Sequence, residues 1–116
     1  HSDNSFFAEP SMASVLYGKE VPPHGNDTLW ANMYSVFESL SPGLKSMLTG
    51  MKAVHTAGRA YSVGEGREAK YSGNASIKYS RAKILDEEVE HPVVRTHPVT
   101  KRKALYVNSM FTVRFK

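Results

Sequence analysis

His1 and Asp3 stand two residues apart at the start of the chain. In an extended segment, residues i and i+2 point to the same side, with Cα atoms roughly 6–7 Å apart from the strand rise. An imidazole nitrogen and a carboxylate oxygen so placed can meet at one ion. Joined by a distant second His, they complete the two-His, one-carboxylate set that holds Fe(II) with three positions open. The pair alone is a weak signal, because His-x-Asp is frequent by chance and a polar strand end is the plain alternative. A second constellation is Gly25-Asn26-Asp27-Thr28-Leu29-Trp30. The Thr28 hydroxyl, at a strand start, can donate to a carboxylate; the plain alternative is a turn locked by the Asp27 side chain. The third is His91-Pro92-Val93-Val94-Arg95-Thr96-His97-Pro98. Its two His could be ligands, but the adjacent prolines suit strand ends, and a structural role is the stronger reading.

These groups need elements to position them. Residues 12–19 (MASVLYGK) read as a strand with apolar groups on both faces. A loop rich in turn formers follows at 21–27, then a short β-prone stretch at 28–30. Asn32 can cap a helix running to about Leu40, with Met33, Val36, Phe37 and Leu40 at helical spacing. Ser41-Pro42 reads as N-cap and first-turn proline, and Gly50 as the stop. Between them Leu44, Met47, Leu48 and Met51 repeat as i, i+3, i+4, i+7. Residues 51–56 read as another strand. Residues 57–90 are poor in large aliphatic side chains and form a long excursion of the kind that serves as a lid. Residues 93–96 and 104–107 then form a hairpin around a turn at 98–103. The order predicts an α+β, mainly β fold with a largely antiparallel sheet, within one domain over 1–116.

Composition narrows the classes. With no cysteine among 116 residues, disulfides, zinc-thiolate sites and thiol catalysis are excluded within this chain. No apolar run approaches the ~20 residues of a membrane helix, so no membrane partner is expected, and a cytoplasmic setting fits. The net charge is +4, and residues 1–58 hold only three of the fifteen Lys/Arg but five of the eleven Asp/Glu. A basic second half suits an anionic small molecule. The rival is a non-enzymatic basic module binding nucleic acid through Lys101-Arg102-Lys103. That cluster sits at the expected hairpin turn, and its aromatic and basic residues are not interleaved as stacking platforms require, so nucleic acid is not expected as a partner. The chain begins with His1 rather than Met and reads as a piece of a longer polypeptide.

The weak signals become specific as an ordered set: His1-Ser2-Asp3, GNDTLW at 25–30, two short helices, HPVVRTHP at 91–98 and ALYVNSMFT at 104–112. Over essentially its whole length, most weakly across 57–90, the chain resembles the taurine dioxygenase and 2,4-dichlorophenoxyacetate dioxygenase (TauD/TfdA) family of Fe(II)/2-oxoglutarate-dependent dioxygenases. The resemblance implies a double-stranded β-helix (jelly roll), here in part. It implies His1 and Asp3 as metal ligands, Thr28 as a residue holding 2-oxoglutarate, and Tyr61 and Phe111 as aromatic rings against the substrate. O2 is the further cosubstrate, and the substrate is a small anionic molecule such as a sulfonate, sulfate ester or aryloxy acid. The second His ligand and the Arg that pairs with 2-oxoglutarate are expected beyond Lys116. With two of three ligands and part of a barrel, this chain alone is expected to be inactive and marginally stable. Its unpaired sheet edges favour a homo-oligomer.

Overall fold

A computed structural model describes residues 3–25, 27–61 and 87–116; the side chains of Arg59 and Tyr61 fall outside that description. The elements are α1 (Met33–Ser39), α2 (Pro42–Thr49), β1 (Lys52–Thr56), α3 (Gly58–Tyr61), β2 (Glu88–Pro92), β3 (Val94–Thr96), β4 (Lys103–Leu105) and β5 (Thr112–Phe115). They are short helices with two small antiparallel sheets, one ordered β2-β1-β5 and the other β3-β4, a mixed α+β arrangement.

Local chemistry accounts for the helices. The Asn32 side chain accepts from the Tyr34 and Ser35 amides at 3.1 and 3.3 Å, satisfying donors that the first turn leaves unpaired. Ser41 does the same for Leu44 at 3.3 Å, with Pro42 in the first turn. Asn32→Ala is therefore expected to destabilise the fold by about 1 kcal/mol, read as a lower urea midpoint with an unchanged slope.

One core cluster gathers Phe37, Ala53, Val93 and Val94, with Leu40, Leu48, Met51, Leu105 and Val107 packed around them. It seats both helices on β1 and on the β3–β4 hairpin. A second cluster joins Phe6, Ala57 and Phe111, flanked by Phe7 and Ala60, and ties the N-terminal segment to the end of β1. In β1 the alternation puts Ala53 and His55 on one face and Val54 on the other, yet all three are buried. The Val54 face carries ion pairs across the strands: Glu90 with Lys52 and Lys116, and Glu88 with Arg114 in a bidentate pair at 2.6 Å. Pairing of β1 with β5 shifts between Val54 and His55: Val54 opposes Arg114 while His55 opposes Thr112, leaving Val113 as an extra residue.

Several expectations change. Residues 12–19 form no strand, and Met12, Val15 and Leu16 are 75%, 97% and 90% exposed. An extended segment becomes a strand only when a neighbour supplies its hydrogen bonds, and none of the described residues does so. The stretch at 28–30 forms no strand for the same reason. The long excursion is shorter than read from sequence: α3 takes its first residues, and β2 begins at Glu88, where cross-strand ion pairs stand in for the missing aliphatic pattern. The proposed lid otherwise lies at 62–86, outside the described residues. The 98–103 turn is present, with Lys101 at φ 59°. Arg102 there pairs with Glu38 at 3.1 Å and lies 4.3 Å over the Tyr34 ring.

Candidate functional site

Asp3 follows the undescribed residues 1 and 2, and is exposed. The Ser14 hydroxyl donates to its Oδ2 at 2.5 Å, the short end of the range for a hydroxyl bonded to a carboxylate. Thr28 and Trp30 lie at the same place. The resulting cleft, about 510 Å³, is lined by Asp3, Ser14, Val15, Leu16, Thr28 and Trp30. One carboxylate and two hydroxyls thus share a space whose other walls are apolar. Thr28 is exposed, with its hydroxyl available to solvent or to an anion entering the cleft.

Of the residues singled out in the sequence, Asp3 and Thr28 are brought together. His1 lies outside the described residues. Tyr61 ends α3, and its side chain lies outside them too. Phe111 is not among the residues lining the cleft; it is 8% exposed and packs edge-on against Phe6, ring centroids 4.9 Å apart. Ser14 and Trp30 are additions that sequence reasoning did not single out as site residues. A lone Ser inside the apolar run MASVL was the available signal for the first. For Trp30 the signal was its place at the end of the GNDTLW motif.

Among the described residues no group of three His, Cys, Asp or Glu is placed to hold a metal ion. Asp3 suits a hard or borderline cation as one oxygen ligand, and its orientation is constrained by Ser14, as ligating carboxylates commonly are by hydrogen-bonded neighbours. The described part of the cleft thus offers a single ligand and a hydroxyl able to hold an anion beside it. Among the described residues, no helix is long and apolar enough to cross a membrane.

Comparison with known proteins carries the chain further. It is 42% identical over 113 residues to the alpha-ketoglutarate-dependent dioxygenase cnsM of Penicillium expansum, covering 97% of this chain and 29% of that protein. It is 30% identical over 112 residues to an alpha-ketoglutarate-dependent sulfonate dioxygenase of Saccharomyces cerevisiae, covering 97% and 24%. It is 33% identical over 112 residues to an alkylsulfatase of Acinetobacter baylyi, covering 96% and 34%. The chain therefore spans about a quarter to a third of the length of these curated relatives. The family described as "Taurine catabolism dioxygenase TauD, TfdA family" matches residues 1–116. With that match over its full length, and relatives of the same kind aligned to nearly all of it, the chain belongs to the taurine catabolism dioxygenase TauD, TfdA family.

Proposed function

We propose that the whole protein carrying this chain is an Fe(II)- and 2-oxoglutarate-dependent dioxygenase that hydroxylates a small anionic organic molecule, releasing succinate and CO2. The observation that carries this reading is the shared cleft: Asp3 and Thr28, 25 residues apart, face one space in a chain of this family. In this reading the sheets are part of a double-stranded β-helix. His1 and Asp3 supply two of the three ligands, and a second His comes from the rest of the polypeptide. Iron bound there with its 2-oxo acid supplies the oxidising power for hydroxylating a C–H bond.

The chain's own residues do the rest. Asp3 offers its carboxylate as ligand, and Ser14 holds that carboxylate in one orientation. Thr28 donates its hydroxyl proton to a carboxylate of 2-oxoglutarate. Val15, Leu16 and Trp30 give the cleft apolar walls. Relatives named as a sulfonate dioxygenase and an alkylsulfatase, together with the excess of Lys and Arg after residue 58, support an anionic substrate.

The test is succinate release by the whole protein with Fe(II) and 2-oxoglutarate, screened across sulfonates, sulfate esters and aryloxy acids. Turnover with at least one class is expected. Thr28→Val, which removes only the hydroxyl, is expected to raise KM for 2-oxoglutarate about ten-fold, the loss of one hydrogen bond to a charged group. An absence of 2-oxoglutarate consumption with every class would overturn the reading.

A further inference from the structure

His55 and His91 are buried side by side, yet neither lines the cleft. They are 0% and 4% exposed, with ring centroids 5.3 Å apart and planes nearly perpendicular. The sheet register produces the pairing. His55 opposes Val89 and His91 opposes Ala53, so the two rings are diagonal neighbours on one face of β1 and β2. Burying imidazoles is costly unless their nitrogens find partners. Both rings find them on the same short stretch of chain.

His91 Nε2 donates to the Phe7 carbonyl at 2.9 Å; a carbonyl only accepts, so that nitrogen carries the proton. His55 Nδ1 lies 2.9 Å from the Ser5 hydroxyl. Asn108 supplies a third hold, its side-chain amide donating to Ser5 Oγ at 3.1 Å. Its carbonyl oxygen meanwhile accepts from the Met110 and Phe111 amides. Ser5 Oγ thus accepts from Asn108 and pairs with His55 Nδ1, the imidazole tautomer setting which of the two donates. His55 Nε2 then faces the Thr112 hydroxyl at 3.4 Å.

These contacts hold a tight turn immediately after Asp3. Asn4 has φ 59°, a left-handed conformation that Asn tolerates, and the Phe7 amide closes the turn on the Asn4 carbonyl at 3.0 Å. Phe6, between the two anchored residues, is buried against Phe111. Asp3 itself is exposed, outside both core clusters; Ser14 orients its carboxylate, and the backbone that follows sets where that carboxylate is carried. We propose that His55, His91 and Asn108 clamp the turn at 4–7 and thereby fix where Asp3 presents its carboxylate, which makes them positioning residues for the metal centre. The metal centre rests on the oxygenase reading above; the clamp does not.

The experiment uses the whole protein and two readouts. Hydrogen exchange of the Phe7 amide in metal-free protein reports opening of the turn. Co(II) titration, followed by visible absorption, reports metal affinity. Ser5→Ala removes one hydroxyl and leaves both rings in place. It is expected to speed Phe7 exchange about ten-fold and to weaken Co(II) binding about ten-fold, the lower end of the usual effect of losing an outer-shell partner. Exchange in β1 should stay unchanged. His91→Leu should act in the same way, and His91→Gln, which keeps an N–H donor, should recover much of the loss. Wild-type Phe7 exchange in Ser5→Ala would overturn the clamp, even if the histidine variants fail to fold. So would acceleration spread evenly through β1, which would mark a role in stability alone. If the wild-type protein binds no Co(II), the oxygenase reading falls, and Phe7 exchange still decides whether the clamp exists.

Discussion

Replacing Asp3 with alanine in the whole protein is expected to cut 2-oxoglutarate turnover by more than about 100-fold, beyond the 10–100-fold typical of losing an outer-shell partner. On the proposed reading a carboxylate ligand would be lost outright, and the imidazoles that remain are neutral and cannot offset the ion's charge. The thermal midpoint should not move, because Asp3 is exposed and outside both core clusters. That contrast separates a chemical role from a structural one. Ser14→Ala should weaken turnover far less, since Ser14 only orients the carboxylate through one hydrogen bond. Direct titration with Co(II) gives the cleanest reading. Unaltered metal affinity in Asp3→Ala would remove Asp3 from the centre and leave the cleft without its proposed purpose.

Acid should loosen this fold before it reaches the ordinary carboxylate range. Burial, with the neighbouring His91, lowers His55 from 6.5 to about 4. Burial also lowers His91, with Arg95 adding to the effect and the bond to Phe7 opposing it. The folded chain therefore keeps His55 neutral where the unfolded chain protonates it. Between about 6.5 and 4 the unfolded state binds the extra proton, so stability is full above that window and falls as pH drops through it. For His55 alone the loss is on the order of 3 kcal/mol, and His91 adds in the same direction. Glu88 and Glu90 are lowered as well, by hydrogen bonds from Arg114 and Lys116. Their contribution is full well above 4.5 and fades below it, so the upper part of the His55 window reports the histidines alone. Urea midpoints from pH 7 to pH 4 measure the slope, and His55→Gln should flatten it. A wild-type midpoint that stays level down to pH 4.5 would contradict a neutral, buried His55.

What could be read from sequence was whatever local chemistry decides. α2 was fully marked by Ser41-Pro42, Gly50 and its i, i+3, i+4 apolar spacing, and it spans Pro42–Thr49. α1 follows from Asn32 as cap, and the hairpin from two apolar runs around a turn. Alternation at 12–19 misleads because a strand is a property of two segments, and alternation in one says nothing of its partner. β2 was missed because its sequence, EVEHP, is stabilised by cross-strand charges and a buried His rather than by aliphatic periodicity. In the site, Asp3 and Thr28 were legible as chemistry, since their types are what a metal and an anion need. Ser14 and the histidine cluster were not. Their roles depend on contacts between Asp3 and residue 14, and between residues 5, 55, 91 and 108, which no local pattern encodes. His91 was read as structural, and its burial at 4% exposure accords with that.

The surplus residue at Val113 gives the strand pairing a consequence for how this chain can vary in length. Thr112 reaches His55 while β5 spends one more residue than β1 over the same distance. Excising that residue would close the bulge into a regular ladder, with Thr112 next to Arg114 and still opposite His55. Asn108, four residues earlier and joined to Thr112 through its own amide, would keep its place and its grip on Ser5. A deletion at 113 therefore leaves the link between β5 and the N-terminal turn in place, whereas one among residues 109–111 would break it by parting Asn108 from Thr112.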